Sequence, residues 1–134
     1  MYKYDEKTKI AIWEKASAID GYDSRLYRQD ACGAWMIYDE YQNRESIYGW
    51  EVDHIYPMSK LITAGVPQNE IDDIRNLRPL NWKNNVSKDA DFPSYRAVCV
   101  ADNNKNIVTE KELIINKDTR ETIKLLYKDY NVRW

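Results

Sequence analysis

Pro57 and Pro79 lie within the stretch from Trp50 to Lys88 and restrict what it can form. Upstream, Ile47 to Ile55 is an apolar and aromatic run that reads as a strand with a kink at Gly49. Pro57 has no amide proton to offer a ladder, so regular pairing should stop before it. Downstream, Pro79 disfavours a helical Arg78, so Asn76 to Leu80 is expected to be extended. Asn81 to Asp89 then reads as a helix on which Asn81, Asn85 and Lys88 share one face. Trp82 and Val86 share the neighbouring face and are expected to pack under the strands. In an ideal strand Asp53 and His54 face opposite sides, so both reach one cavity only if the backbone bends at the strand's end. Between the two strands, Ser59 to Ile74 carries Leu61, Ile62, Val66, Ile71 and Ile74, interrupted by Gly65 and Pro67. It predicts one helical turn or short helix, a turn, and a second helical turn.

The flanks follow the same logic. Asp5 to Ser17 has Ile10, Trp13 and Ala16 at helical spacing and reads as a helix, broken by Asp20-Gly21-Tyr22-Asp23. Leu26 to Asp30 is an ambiguous connection. Ala34 to Tyr38 reads as a short strand and Asp39 to Ser46 as a loop. Beyond Asp91, the segments Arg96 to Ala101 and Ile107 to Ile115 read as strands joined by a turn at Asp102 to Asn106. Asp118 or Thr119 caps a last helix running to about Tyr130, with Ile123, Leu126, Tyr127 and Tyr130 inward. At 134 residues, with no repeats and no long linker, the chain is expected to be one domain.

Bulk chemistry excludes more than it selects. The formal net charge is −2, so global charge weakly opposes nucleic-acid binding, and any such binding needs a local basic patch. The two cysteines, Cys32 and Cys99, form no Cys-x-x-Cys pair, and there is one histidine, so a structural zinc site is excluded. Two buried free thiols in a reducing cytosol are the expected state. The polar N-terminus and the lack of an apolar run predict a soluble cytoplasmic protein with no membrane contact, an exported toxin being the exception to watch. The aromatic residues are mostly tyrosine and tryptophan; Trp35, Trp50 and Trp82 read as core rather than as base-stacking platforms.

One constellation stands out chemically. His54, the lone histidine, sits beside Asp53 at a strand end. Asp53 and Asn85 are hard oxygen donors of the kind that suit Mg²⁺, which takes few protein ligands and keeps water and substrate phosphate for the rest. Lys88, Arg78, Lys83, Arg75 and Lys60 put cations around the same segment, where a phosphate would need them. A base, a sparse metal site and phosphate-binding cations together make metal-assisted phosphodiester hydrolysis feasible. The plainer readings stand beside these. Asn76 and Asn85 can be turn and helix residues, Lys60, Arg75 and Lys83 solvated surface, and Glu51 an ordinary exposed strand position.

Asp53-His54, Asn76, Asn85 and Lys88, set among Glu51-Val52, Ile55, Pro57 and Leu77-Arg78-Pro79-Leu80, resemble the HNH nucleases. They look like metal-dependent members that carry Asn in place of the final His, such as phage homing endonucleases and the HNH domain of CRISPR effector nucleases, and the flanks look like small zinc-free members. Trp13-Glu14-Lys15-Ala16, Tyr27-Arg28 with Asp30, and Tyr48-Gly49-Trp50 extend the likeness over residues 12 to 91. The resemblance implies an α+β fold with a ββα-metal core (residues 50–91), a flanking N-terminal helix, and a C-terminal extension (92–134) of hairpin plus helix. It implies a DNA endonuclease leaving 5′-phosphate and 3′-hydroxyl ends. His54 would be the general base and Asn76 a catalytic-loop residue that ties the loop bearing His54 to the helix. Asp53 and Asn85 would bind one Mg²⁺ or Mn²⁺, and Lys88, Arg78 and Lys83 would contact nucleic acid. Two features depart from the family: the insert from Lys60 to Arg75, which can alter access or hold a partner, and the tail after Asp91. The tail can read DNA, dimerise or complete the core, the last being the simplest. A catalytically weak binding module and an intracellular nuclease toxin are the alternatives.

Overall fold

The first helix begins where Asp5 can cap it. The Asp5 carboxylate accepts from the Thr8 amide at 2.7 Å, satisfying one of the orphan donors of the first turn. In the computed structural model, which describes residues 4–134, α1 spans Glu6–Trp13. It ends earlier than expected because Arg28 takes its trailing carbonyls: Nη1 donates to Ala16 O at 2.8 Å and to Glu14 O at 3.2 Å. The chain then turns away, and β1 (Ser17–Ala18) pairs antiparallel with β2 (Tyr27–Gln29), which pairs with β3 (Trp35–Ile37). The ambiguous connection is thus the middle strand of a small sheet. Ile12 and Trp13 face inward while Ile10 is exposed. Trp13 packs on Trp50 and Tyr38 with ring centroids 5.0 and 5.2 Å apart.

The central stretch folds as two strands and a helix. β4 (Trp50–His54) pairs antiparallel with β5 (Leu77–Asn81), with Asp53 opposite Arg78 and His54 opposite Leu77. β4 starts later than Ile47 because Gly49 lies against the neighbouring loop. A Cβ there would stand 2.0 Å from Asn43 O, so the Ser46–Gly49 turn belongs to the loop and not to the strand. Asn81 caps α4 (Trp82–Lys88) by accepting from the Lys83 amide at 3.0 Å. The insert forms α2 (Met58–Thr63), α3 (Gln68–Ile71) and a 3₁₀ turn at Ile74–Asn76. Leu61, Val66 and Ile71 are buried in the same cluster as Ile55, Tyr56 and Leu80, so the insert is part of the core.

The tail completes that core. β6 (Ser94–Asp102) and β7 (Lys105–Ile114) form an antiparallel hairpin, and α5 (Lys117–Leu126) follows. The cap of α5 is Asn116 rather than Asp118 or Thr119; its side chain accepts from the Thr119 amide at 2.8 Å. Tyr95, Ala97, Ile123 and Tyr127 join the insert's residues in one cluster. The whole is a mixed α+β fold with antiparallel sheets and five α-helices among the described residues.

One helix face is the reverse of the expected one. Val86 is 51% exposed and Trp82 only half-buried, whereas Asn84 and Lys88 are fully buried. Asn84 succeeds there because every polar atom it carries is used. Its Oδ1 accepts from the Val98 and Cys99 amides, and its Nδ2 donates to Cys99 O and to Asp30. Asp30 in turn accepts from Cys32 N, Ala34 N and Asn81 N, each at 2.9 Å, and so ties the β2–β3 loop to the β5–α4 junction. Both cysteines are free and buried. Burial pushes the Cys32 thiol up to about 12 and the Cys99 thiol to about 11.

Candidate active site

A cleft of about 890 Å³ opens beside β4. Four consecutive residues, Glu51 to His54, line it, together with Asn85 of α4, Arg44 of the preceding loop and the start of α2. Consecutive strand residues point to alternate faces, so the cleft runs along the edge of β4 rather than across one face. That removes the need for a backbone bend. Pairing with β5 stays regular through His54, and Ile55 N continues the ladder to Asn76 O at 2.8 Å. Asp53 and His54 share the cleft because, among the described residues, the opposite edge of β4 has no strand beside His54.

Asp53 is 3% exposed and flanked by two cations. Its Oδ2 accepts from Arg78 Nε at 2.8 Å, and Lys88 Nζ lies 3.2 Å from Oδ1. Lys88 has no exposed surface and also donates to His54 O at 3.3 Å. Burial pulls its pKa below the usual lysine value, and Asp53 opposes that pull. Lys88 and Arg78, read from the sequence as phosphate contacts, are both paired with Asp53, and neither lines the cleft. Both cations sit behind Asp53, directed at the carboxylate, where a buried charge needs them.

His54 is held by the insert. Its Nε2 lies 2.7 Å from Asp72 Oδ1, and Asp72 Oδ2 accepts from Gln68 Nε2 at 3.0 Å. Asp72 is the residue that reading the sequence missed. An acid at the C-terminal end of a short helix carries no local sign of a distant partner. Asn76 is fully buried and splints the chain just after His54: its Oδ1 accepts from Tyr56 N at 2.8 Å and its Nδ2 donates to Tyr56 O at 3.1 Å. It ties that loop to the 3₁₀ turn rather than to α4, and it does not line the cleft.

Asn85 is oriented by Glu51. Its Nδ2 donates to Glu51 Oε1 at 2.9 Å, turning the carboxamide oxygen away from that carboxylate. Glu51 is no ordinary exposed strand position, because Arg44 also grips it in a fork, with contacts of 2.6 and 2.9 Å. Lys83 lies over the Trp82 ring at 4.6 Å, Lys60 over Tyr56 at 6.0 Å, and Arg75 is paired with Asp73 at 2.8 Å. None of these three lines the cleft, whose charged walls are Arg44, Glu51, Asp53 and Asp89. Trp50 and Trp35 are buried as expected.

The arrangement brings one imidazole, one buried carboxylate and one oriented carboxamide to a common opening. Among the described residues no group of three or more His, Cys, Asp or Glu side chains is placed to hold a metal ion, and no helix is long and apolar enough to cross a membrane. Compared with protein-family models, curated proteins and solved structures, the chain matches none.

Proposed function

We propose that this chain is a divalent-metal-dependent DNA endonuclease of the HNH kind, with β4, β5 and α4 as its ββα-metal core. One observation carries the proposal. Asp53, His54 and Asn85 line a single cleft, although Asn85 arrives from a helix 34 residues beyond Glu51, its hydrogen-bond partner. His54 accepts the proton of a water as the water's oxygen bonds to phosphorus and the bond from phosphorus to the 3′ oxygen breaks. Asn76 holds the backbone next to His54 so that the ring stays at the strand end.

The donor chemistry fits Mg²⁺ or Mn²⁺. A buried carboxylate and a carboxamide oxygen are hard ligands, and two protein ligands are typical where phosphate completes the shell. Asp53 and Asn85 would hold the ion, which when bound neutralises charge on the non-bridging and leaving oxygens. Arg78 and Lys88 already compensate Asp53, so the ion is expected to enter together with the substrate's phosphate.

The test is nicking of supercoiled plasmid in Mg²⁺, Mn²⁺ or EDTA. Metal-dependent nicking is expected, reduced about 100-fold or more in His54→Ala with DNA retention and melting temperature kept. Retardation of DNA without cleavage in any metal would instead make the chain a binding module. Undiminished nicking by His54→Ala would remove the base from the scheme.

A further inference from the structure

From the sequence the insert can alter access or hold a partner, yet in the structure it places a carboxylate against the proposed base. We propose that Asp72 is the positioning residue for His54, fixing both the plane of the ring and the nitrogen that carries its proton. This rests on the nuclease assignment of His54 made above. A carboxylate can only accept, so the 2.7 Å contact requires Nε2 to be the donor. With that proton on Nε2, the basic lone pair of the neutral ring is on Nδ1.

Asp72 is itself held. Gln68 Nε2 donates to its other oxygen at 3.0 Å, and both residues belong to α3 or its C-terminal cap. The helix is anchored by Ile71, which is buried in the core, and by Tyr127, whose hydroxyl donates to Glu70 O at 2.8 Å. The C-terminal helix thus braces α3, α3 carries Asp72, and Asp72 orients His54. This gives the insert and the tail a shared role in the same chemistry. Support of this kind keeps a reacting group within the narrow geometric range that catalysis needs.

A carboxamide at position 72 can present either its oxygen or its NH₂ to the ring. Gln68, a donor, favours turning the oxygen toward itself and the NH₂ toward His54. Nε2 would then have to accept, and the ring proton would move to Nδ1, the wrong nitrogen. Asp72→Asn is therefore expected to be worse than Asp72→Ala, and Asp72→Glu to recover part of the activity.

The experiment pairs kinetics with nitrogen NMR. His54 is the only histidine, so the imidazole correlations of a ¹⁵N-labelled chain need no assignment. The wild-type spectrum, in assay buffer, is expected to show the proton on Nε2, and Asp72→Asn to shift population toward Nδ1. With Mg²⁺ and plasmid, Asp72→Asn is expected to lower kcat about 100-fold or more with KM within about twofold. A wild-type ring protonated on Nδ1 overturns the proposal without any variant having to fold. An inactive His54→Ala beside a fully active Asp72→Ala overturns the role of Asp72 alone. His54→Ala nicking at the wild-type rate overturns the base itself, and the proposal with it.

Discussion

Replacing Asp53 with asparagine tests the buried charge cluster in isolation. The shape is kept and only the charge goes. In the wild-type chain the carboxylate sits 2.8 Å from Arg78 Nε and 3.2 Å from Lys88 Nζ. At an effective dielectric constant of about 20, two such contacts are worth roughly 6 and 5 kcal/mol gross. Most of that is offset by the desolvation of three ions. What remains decisive is the asymmetry: removing one member of a buried ion cluster leaves the others uncompensated, which typically costs about 3–5 kcal/mol. With an unfolding entropy of about 2.1 cal/mol/K per residue over 134 residues, that lowers the melting temperature by roughly 10–18 °C. Adding Lys88→Met to Asp53→Asn is expected to raise the melting temperature again, because the second substitution removes an orphaned ammonium. Thermal unfolding by circular dichroism on the two single variants and the double variant measures the coupling. An Asp53→Asn chain melting within about 2 °C of wild type would refute the buried-cluster account. So would a double variant less stable than both singles. The same numbers carry a warning for activity assays: loss of nicking in Asp53→Asn is informative about a metal ligand only below its own melting transition.

Three further outcomes follow from the packing. Asn76→Ala removes both hydrogen bonds to the Tyr56 backbone, leaving buried groups unsatisfied at about 1–3 kcal/mol each; denaturant titration should show a loss of roughly 2–6 kcal/mol, and a loss under about 0.5 kcal/mol would contradict the splint. Gly49→Ala forces a Cβ to within 2.0 Å of Asn43 O and 3.0 Å of Trp82; it should cost about 3 kcal/mol or fold poorly, as overpacking against backbone does, read by the same titration. Both thiols are raised, to about 12 for Cys32 and about 11 for Cys99, which lowers the thiolate fraction in the folded state. At pH 8 a thiol-reactive dye should therefore label almost nothing until denaturant is added, then two equivalents; rapid labelling of the native chain would place a cysteine at the surface.

What the sequence determined by itself was local. Pro57 set the limit of one strand, Pro79 kept its own segment extended within the next, Asn81 opened a helix, and the periodicity of Ile123 and Tyr127 marked the inward face of the last helix. Each signal acts within a turn or two of chain, where one residue's backbone limits or side-chain cap decides the outcome. The signals failed where partners came from afar. Hydropathy placed Val86 inside, yet Val86 is exposed and the structure buries Asn84, because β6 and Asp30 satisfy all of its polar atoms. Lys88 read as a phosphate contact and is enclosed against Asp53, a partner that only the fold brings to it. The pairing of His54 with Asp72 was invisible for the same reason. Whether a polar side chain is a ligand, a support or solvated surface depends on what stands within 3 Å of it, and that distance exists only once the chain has folded.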